Sequence, residues 1–588
     1  YNPRNTMENL TVGRYLSKRL VECGVRKFFT VPGDFTLPLL DQMISEPELD
    51  MVGCCNELNA GYSADGYCRE TGGVGCIVAT YMVGSISALN AVAGAYSQYL
   101  PLLVIVGGPN SKDAGCGRII HHTIGLPNMT QSSQCYEPVV EKVFVVRHLQ
   151  EAQKFIDEAV RLCATKKKPV YLEISCDLIS QKIKFPVYLS SDYFLPKFLS
   201  DSRSLKCAIE IIIKMIQSAP KVVLIAGSKL EPAESQEAFL LLAQALGCGV
   251  AVMPDAKGLF PEHHELYMGC YWGGVSTRHV QGQVDSADLV IIAGGVLNDY
   301  TTVGWSSLLN PQKTVSLDID YSDVCGQHFH SVHLMDLLSG LYCLVPKKPD
   351  SLHSFRRYVP ETTESASDVT TAKGQHPEAP LNLRFLLHQL QNVVDRNVSA
   401  VVVETGDAWF MGQKLRLPVG VRYHVQMQYG SCGWALGASL GVGVAQKLLY
   451  ESEEEDTGES LTQKRILALI GDGSFQFTAQ ELSTLIRQNV NVTIILLNNA
   501  SYTIEVQIHD GPYNKIANWK YAELVNVLRD GNLHAVGVRV TTNAELLSAL
   551  ERESTHTGVM LIECCLAKDD CTSSLLEWGS RVAEANMR

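Results

Sequence analysis

Several features that would indicate particular protein classes are missing from this sequence of 588 residues. None of its 18 cysteines forms a C-x-x-C pair, which disfavours a thiolate zinc site, and the scattered thiols indicate a reducing compartment. No apolar run approaches the roughly 18 residues that span a bilayer. No long Lys/Arg cluster is present and the formal net charge is −13, which disfavours a nucleic acid or an anionic membrane as a partner.

Targeting and nucleotide-binding signals are also missing. The first residues lack the layout of a secretory signal, so we expect a cytoplasmic protein. Because the chain begins at Tyr1 rather than Met, an organellar form with a removed transit peptide stays open. Neither G-x-G-x-x-G nor G-x-x-x-x-G-K-[ST] occurs, which disfavours a nicotinamide or P-loop enzyme.

The chain alternates between short β-rich apolar runs and helical stretches, the pattern of parallel α/β sheets. We predict an α/β protein with three doubly wound parallel-sheet domains at 1–185, 205–346 and 381–588, joined by a linker at 347–380 that is rich in Pro, Ser, Thr and Glu. The predicted strands are Lys27–Val31, Gly75–Thr80, Leu102–Gly107, Val170–Ile174, Lys221–Gly227, Gly249–Pro254, Asp288–Gly295, Thr314–Ile319, Ala400–Glu404, Arg465–Ile470, Val492–Leu497 and Val559–Cys564. An acidic loop, Glu451–Glu459, is predicted before the second strand of the third domain.

The segment Gly471-Asp472-Gly473-Ser474 directly follows a buried strand and opens a helix-like run. Such a turn places free backbone N–H groups and a helix N-terminus at one point, which favours a phosphate. Asp472 and Asn499 lie 27 residues apart, at the carboxyl ends of two predicted parallel strands. Their oxygens are hard ligands that suit Mg²⁺ on a diphosphate. Alone, each motif could be an ordinary turn, and the spacing favours the metal site.

The segment from Asn56 to Arg69 contains Glu57 just after the apolar stretch Met51–Cys55, and it is rich in small residues that allow close helix packing. Alone, Glu57 reads more readily as a helix-capping carboxylate. Three further elements carry titratable side chains: Asp34 in a strand-to-helix turn, the adjacent His121 and His122, and Glu505, six residues after Asn499. Each has an ordinary interpretation as a cap, a surface residue or a solvated charge. Their joint occurrence beside the other motifs favours a functional role over these ordinary interpretations.

These motifs together resemble a known family. The layout G-D-G-S…N-N resembles the thiamine diphosphate and Mg²⁺ motif of thiamine enzymes, and Asn56–Arg69 resembles the segment that contacts the cofactor's aminopyrimidine ring. The segments P-G-D-F, H-H-T and Y-T-I-E resemble the pyruvate decarboxylase family of 2-oxo acid decarboxylases, in its bacterial and plant form. The likeness covers nearly the whole chain, and the His pair argues against an acetolactate synthase. It implies a pyrimidine domain, a central domain and a diphosphate domain.

The resemblance also implies a role for individual residues. Glu57 would hydrogen-bond N1′ of the cofactor, and Asp472, Asn499 and the carbonyl of Ser501 would hold Mg²⁺. In the turn Gly430-Ser431-Cys432-Gly433, Cys432 replaces the bulky aliphatic residue that props the bent cofactor, which predicts looser binding. The full predicted cofactor set is Glu57, Thr405, Asp407, Gly430, Cys432, Asp472, Gly473, Ser474, Asn499, Ser501, Tyr502 and Ile504.

The activity implied by the resemblance is a carboxy-lyase reaction of fermentative metabolism. Pyruvate would be decarboxylated non-oxidatively to acetaldehyde and CO₂ through a thiamine diphosphate ylide and an enamine. Asp34, His121, His122 and Glu505 would move protons, and we expect raised pKa values for the neighbouring carboxyl groups. Tyr300, Trp409 and Ile508 would line a small substrate pocket. A decarboxylase for indolepyruvate, phenylpyruvate or branched-chain 2-oxo acids is the alternative substrate class.

The resemblance further implies a homo-oligomer. The first domain of one chain would face the third domain of another across the cofactor, so that a dimer is the minimum and a tetramer is expected. A non-catalytic binding or filament-forming relative is the alternative from another class. Such a relative would be expected to have lost Glu57, Asp472 or the His pair, and all are present.

Overall fold

The computed structural model describes residues 10–183, 199–358, 376–457 and 463–587. The chain divides into two compact units. The first unit contains Tyr1–Lys197, Tyr429–Gln463 and Phe477–Asn491, and the second contains Phe198–Gln428, Lys464–Gln476 and Val492–Arg588. Parts of the predicted domain 381–588 thus belong to each unit. The helix Trp434–Thr457 belongs to the first unit because it packs along the helix Glu57–Thr71.

The first unit contains a parallel six-stranded sheet. Its strands are β1 (Lys27–Thr30), β2 (Asp50–Gly53), β3 (Gly75–Thr80), β4 (Leu102–Gly108), β5 (Lys142–Val146) and β6 (Val170–Ser175). They lie in the order β2-β1-β3-β4-β6-β5, and every neighbouring pair is parallel. Every residue of β3, β4 and β6 is buried, which explains why these strands are continuous apolar runs in the sequence.

The second unit contains two sheets. The strands of the first are β7 (Val222–Ala226), β8 (Gly249–Val252), β9 (Tyr267–Cys270), β10 (Leu289–Ala293), β11 (Thr314–Leu317), β12 (Tyr321–Val324) and β13 (Gln327–His330). They lie in the order β13-β12-β11-β10-β7-β8-β9. Unlike the predicted parallel sheet, this one ends in two antiparallel pairs, β11-β12 and β12-β13. The turn between β12 and β13 is Cys325-Gly326, and both residues have positive φ, as a tight hairpin turn requires.

The other sheet of the second unit repeats the topology of the sheet in the first unit. Its strands are β14 (Val398–Val403), β15 (Arg422–Val425), β16 (Arg465–Gly471), β17 (Val492–Asn498), β18 (Ala535–Val540) and β19 (Val559–Cys565). They lie in the order β15-β14-β16-β17-β19-β18, with every pair parallel. The fold class predicted from the sequence is thus confirmed: three largely parallel sheets alternate with helices.

Twenty α-helices connect and cover these strands within the described residues. They are α1 (Val12–Glu22), α2 (Leu37–Ile44), α3 (Glu57–Thr71), α4 (Val83–Ser97), α5 (Gln131–Tyr136), α6 (Leu149–Lys166), α7 (Ser202–Ser218), α8 (Gln236–Leu246), α9 (Val280–Asp285), α10 (Leu334–Tyr342), α11 (Asp350–Tyr358), α12 (Leu383–Asn397), α13 (Asp407–Lys414), α14 (Trp434–Thr457), α15 (Asp472–Thr478), α16 (Leu482–Arg487), α17 (Thr503–Ile508), α18 (Tyr521–Leu528), α19 (Asn543–Glu553) and α20 (Ser573–Asn586). In the described part of the chain, none of them is long and apolar enough to cross a membrane.

Two predicted irregular segments are partly helical. The start of the predicted linker 347–380 forms α11, while residues 359–375 lie outside the described residues. The predicted acidic loop Glu451–Glu459 is wrong as far as Thr457, because α14 continues to that residue. The remainder of that prediction, residues 458 and 459, lies outside the described residues.

Candidate active site

Glu57 is the first residue of α3, and the helix cap is its neighbour. The side chain of Asn56 accepts a hydrogen bond from the backbone N–H of Asn59 at 2.8 Å, so Asn56 rather than Glu57 caps the helix. A Cβ atom built on Gly84 would lie 2.8 Å from Oε1 of Glu57, which shows that the carboxylate lies directly against that glycine. Burial raises the pKa of Glu57. The carboxyl group is thus available to a ligand and more easily protonated than usual.

The helix that carries Glu57 is fixed by a close crossing with α14. A Cβ atom on Gly441 would lie 1.8 Å from the carbonyl oxygen of Ser63, and one on Gly66 would lie 2.2 Å from that of Ala438. Only glycine therefore fits at these two crossing points. The indole Nε1 of Trp434 donates to Oδ1 of the buried Asp65 at 2.9 Å. The small residues of α3 therefore set the position of Glu57 through helix packing.

Glu481 is a buried carboxylate that the sequence analysis did not identify. It lies in a 3₁₀ turn at Ala479–Glu481 and is fully buried. Its Oε2 accepts from Nδ2 of Asn59 at 2.8 Å and from the backbone N–H of Cys55 at 3.2 Å. These two donors lie on either side of Glu57 in the sequence, so Glu481 holds the turn that presents Glu57. Only the topology of the fold reveals this role, since 422 residues separate Glu481 from Asn59.

The turn Gly430-Ser431-Cys432-Gly433 also belongs to the first unit. Both glycines have positive φ, +65° for Gly430 and +90° for Gly433, which favours glycine at these positions. The hydroxyl of Thr478 donates to the carbonyl of Gly433 at 2.7 Å. Cys432 is half-buried in this turn. The positive φ values agree with the predicted turn at Gly430-Ser431-Cys432-Gly433. That Cys432 supports a bent cofactor stays a prediction.

Asp472 lies in the second unit, at the point where β16 ends and α15 begins. It is 1% exposed, and its oxygens accept backbone hydrogen bonds from Gly473 at 2.9 Å and from Ala500 at 2.7 Å. The second bond brings the turn after β17, with Asn499 and Ser501, to Asp472. Burial raises the pKa of Asp472 to about 6. A buried carboxylate beside a turn that carries an asparagine and backbone carbonyl groups fits a hard cation such as Mg²⁺.

The residues that follow Asp472 in the sequence pack closely against neighbouring segments. A Cβ atom on Gly473 would lie 2.5 Å from two ring carbons of Tyr502, so the tyrosine ring packs directly on the glycine. The hydroxyl of Ser474 donates to the carbonyl of Thr405 at 3.4 Å. Ile504 lies two residues beyond Tyr502, in the first turn of α17. The structure thus brings together most of the predicted diphosphate-side residues.

Asp407 has a structural partner that the sequence did not indicate. Its Oδ1 and Oδ2 accept from the hydroxyl and the backbone N–H of Thr572, at 2.5 and 2.9 Å. Burial raises the pKa of Asp407 to about 6. The carboxylate at the start of α13 thus anchors the N-cap residue of α20. The predicted contact of Asp407 with a cofactor stays a prediction.

Asp34, His121 and His122 come together in the first unit, although 87 residues separate Asp34 from His121. Nε2 of His121 lies 2.7 Å from Oδ2 of Asp34, and Nε2 of His122 lies 3.4 Å from Oδ1. Partial burial alone would raise the pKa of Asp34. The hydrogen bond from His121 and the charges of both histidines outweigh burial and lower this pKa. The expected raised pKa is therefore wrong for Asp34. The cluster is a carboxylate with two imidazoles, open to solvent.

The predicted pocket residues Tyr300 and Trp409 pack together in the second unit, with ring centroids 6.0 Å apart and an interplanar angle of 67°. Trp409 is fully buried. The carbonyl of Tyr300 accepts from the indole N–H of Trp272 at 2.8 Å and of Trp578 at 3.3 Å. These two tryptophans, which the sequence analysis missed, therefore fix the position of Tyr300.

The helix α17 carries the two remaining predicted residues of the second unit. Glu505 is exposed, and Ile508 is half-buried at the end of the helix. A Cβ atom on Gly579 of α20 would lie 3.0 Å from Gln507, so α17 packs closely on α20. Glu57, Gly430, Cys432 and the Asp34 cluster belong to the first unit, whereas the residues around Asp472 belong to the second. Their meeting around one ligand stays a prediction.

Comparison with family models identifies the class of protein. Residues 10–133 match the N-terminal TPP binding domain of thiamine pyrophosphate enzymes. Residues 209–337 match the central domain of these enzymes, and residues 399–564 match their C-terminal TPP binding domain. The three matches cover most of the chain and define a thiamine pyrophosphate enzyme.

Comparison with curated proteins narrows this class. Pyruvate decarboxylase 2 of Arabidopsis thaliana is 44% identical over 584 residues, which cover 98% of this chain and 92% of that protein. Pyruvate decarboxylase 1 of Pisum sativum is 43% identical over 587 residues, covering 98% and 94%. Pyruvate decarboxylase 3 of Oryza sativa subsp. indica is 44% identical over 592 residues, covering 98% and 95%. The chain belongs to the pyruvate decarboxylase family.

Proposed function

We propose that this protein decarboxylates pyruvate non-oxidatively to acetaldehyde and CO₂, with thiamine diphosphate as its cofactor. The observation that carries the proposal is full-length similarity to plant pyruvate decarboxylases, in a chain that retains Glu57 and the Asp472 turn. When bound, thiamine diphosphate supplies the nucleophilic carbon and accepts the electron pair that decarboxylation releases.

The cofactor's diphosphate would be held through Mg²⁺ by Asp472, the amide oxygen of Asn499 and the carbonyl of Ser501. The buried Asp472 supports this assignment, because a bound cation would offset the cost of burying a charged carboxylate. The N-terminus of α15 adds backbone N–H groups that favour a phosphate. Glu57 would hold a proton at the aminopyrimidine ring, and its raised pKa supports that role.

The protons of the reaction would be held by Asp34, His121, His122 and Glu505. The hydrogen bond between His121 and Asp34 supports a relay, since it orients the imidazole ring. A protonated imidazole can donate its proton to a developing carbanion or alkoxide near neutral pH. Glu505, exposed on α17, is the remaining carboxyl group of this predicted set.

The packed aromatic pair of Tyr300 and Trp409 supports pyruvate as the substrate. Tyr300 and Trp409 are bulky and pack on each other, and Tyr300 is held by Trp272 and Trp578, so a pocket that they border would not widen easily. A larger 2-oxo acid such as phenylpyruvate or indolepyruvate is the second candidate substrate class. The ratio of kcat/KM for pyruvate to kcat/KM for phenylpyruvate separates the two: a ratio above one supports pyruvate.

The direct experiment follows acetaldehyde formation from pyruvate with alcohol dehydrogenase and NADH. The protein is first stripped with a chelator and then assayed with and without thiamine diphosphate and Mg²⁺. Activity should require both additions, and Glu57→Gln should lose at least ~100-fold, the scale for removal of a proton-transfer group. Unchanged thermal unfolding of Glu57→Gln would show that the loss is chemical. Failure of the wild type to bind the cofactor would instead favour a non-catalytic relative.

The assembly and the cellular setting are proposals of the same kind. A dimer with active sites between subunits, paired into a homotetramer, would complete the site with Glu57 from one chain and Asp472 from another. The cytoplasm is the proposed location, which agrees with the 18 free cysteines. The product acetaldehyde fits a fermentative role.

A further inference from the structure

The cluster of Asp34, His121 and His122 has a second chemical property besides proton transfer. Two imidazole nitrogens and one carboxylate oxygen form a donor set that binds Zn²⁺ and related transition-metal ions. In the described part of the chain, these three residues are the one group of at least three His, Cys, Asp or Glu whose donor atoms all lie within 4.8 Å of one another.

Each imidazole nitrogen lies near one oxygen of Asp34, and the two nitrogens contact different oxygens of the carboxylate. Metal–ligand bonds of roughly 2.0–2.1 Å place neighbouring tetrahedral ligands about 3.3 Å apart. Nε2 of His122 and Oδ1 of Asp34 are 3.4 Å apart, and Nε2 of His121 and Oδ2 of Asp34 are 2.7 Å apart. A metal ion would therefore replace the hydrogen bond from His121 and require that pair to separate by well under 1 Å.

The two imidazole rings are held in this arrangement before any ion binds. His121 stacks on Phe35, with ring centroids 4.9 Å apart and an interplanar angle of 13°, and His122 meets Phe35 edge-on at 6.1 Å. His122 has a φ of +57°, a backbone conformation that is uncommon for residues other than glycine. Preorganised ligands reduce the entropy lost on binding.

The cluster also leaves room for further ligands. The side chains of Asp34 and His121 are 51% and 58% exposed, so water can complete the coordination of a bound ion. Imidazole ligands distinguish this cluster from the all-oxygen set around Asp472, which suits Mg²⁺. We propose that Asp34, His121 and His122 form a reversible inhibitory site for Zn²⁺ or a similar transition-metal ion. Inhibition rests on the proposed function, because the ion would occupy the nitrogen and oxygen atoms that move protons.

The test measures metal binding separately from activity. The protein is loaded with Mg²⁺ and thiamine diphosphate, dialysed against micromolar Zn²⁺ and analysed for bound zinc. The wild type should retain one Zn²⁺ per chain, and His121→Gln/His122→Gln should weaken binding at least ~100-fold, more than the loss of an outer ligand causes. The matched control is His263→Gln/His264→Gln, which changes another adjacent pair that belongs to no such cluster. It should bind Zn²⁺ like the wild type.

Equal zinc binding by the wild type and His121→Gln/His122→Gln would overturn the proposal, as would wild-type protein that binds no Zn²⁺. Co²⁺ provides a second readout, because tetrahedral Co²⁺ absorbs visible light and should do so with the wild type and the control only. Zinc binding in a protein that lacks decarboxylase activity would leave the metal site standing and count against the proposed function. With active protein, Zn²⁺ should lower kcat for pyruvate at saturating Mg²⁺ and cofactor, and undiminished kcat at full zinc occupancy would contradict inhibition.

Discussion

Replacing Glu481 should damage both the stability and the activity of the protein. Its Oε2 accepts from the side chain of Asn59 and the backbone of Cys55, and all three groups surround the start of α3. Glu481→Ala leaves two donors without a partner, each at a cost of about 1–3 kcal/mol, so unfolding should become easier by about 2–6 kcal/mol. Glu481→Gln keeps one acceptor oxygen and should lose less stability.

Glu481→Ala should also reduce the activity of the protein that remains folded. Glu57 lies between the two donors, and a misplacement of about 1 Å near a reacting group can reduce the rate ~100-fold. We therefore expect kcat/KM for pyruvate to fall by about that factor under conditions where the variant is folded, with partial recovery in Glu481→Gln.

The assay combines urea unfolding with steady-state kinetics and a matched control. Glu553 is another buried carboxylate, which accepts from Thr493 at 3.0 Å and pairs with Arg465 at 3.1 Å. Glu553→Ala should lose about 3–5 kcal/mol of stability, because it leaves a buried arginine without its counter-charge, and should keep the kcat/KM of the wild type. Equal kcat/KM for Glu481→Ala and the wild type would refute the positioning role.

Three further predictions concern the pocket, the cofactor turn and pH. Tyr300→Ala should raise kcat/KM for phenylpyruvate relative to pyruvate by at least ~10-fold, since even one methylene group in an apolar pocket is worth about 1–3 kcal/mol. An unchanged ratio would show that Tyr300 does not limit substrate size. Cys432→Ile should lower the Kd for thiamine diphosphate several-fold, by about 1 kcal/mol of added apolar contact, and a higher Kd in a fluorescence titration would contradict the prediction. Burial raises the pKa of Glu173 to about 7 from its ordinary 4.5, so its contribution to stability is present below pH 4.5 and lost as pH rises through 7. Glu173→Gln should therefore gain stability over the wild type between pH 5 and pH 8 in urea unfolding, and parallel curves would contradict this.

The sequence predicted the central strands of each sheet well and the edges poorly. Strands such as Gly75–Thr80 and Val492–Asn498 are covered on both faces, so their apolar runs match the observed bounds to within one residue. The strands Asp50–Gly53 and Gln327–His330 were missed because they are short and partly exposed, and their pairing depends on the rest of the sheet.

In the candidate site, residues in local motifs were predicted, and residues that act through distant partners were not. Asp472, Gly473 and Asn499 were identified because each motif directly follows a strand, and parallel strands bring their carboxyl ends together. Glu481, Trp272 and Trp578 were missed because each acts through a partner far away in the sequence. Whether α14 belongs with the first or the third domain could not be predicted either, since that depends on glycine contacts such as the one between Gly441 and Ser63.

The central claim is that Glu57 of one chain and Asp472 of another act on the same cofactor. It is tested most directly by co-expressing Glu57→Gln and Asp472→Asn subunits and measuring decarboxylation by the purified mixture. With random pairing, half of the dimers are mixed and each mixed dimer has one intact site of two, so the mixture should show about a quarter of the wild-type activity per chain. Activity no higher than that of either variant alone would contradict the claim.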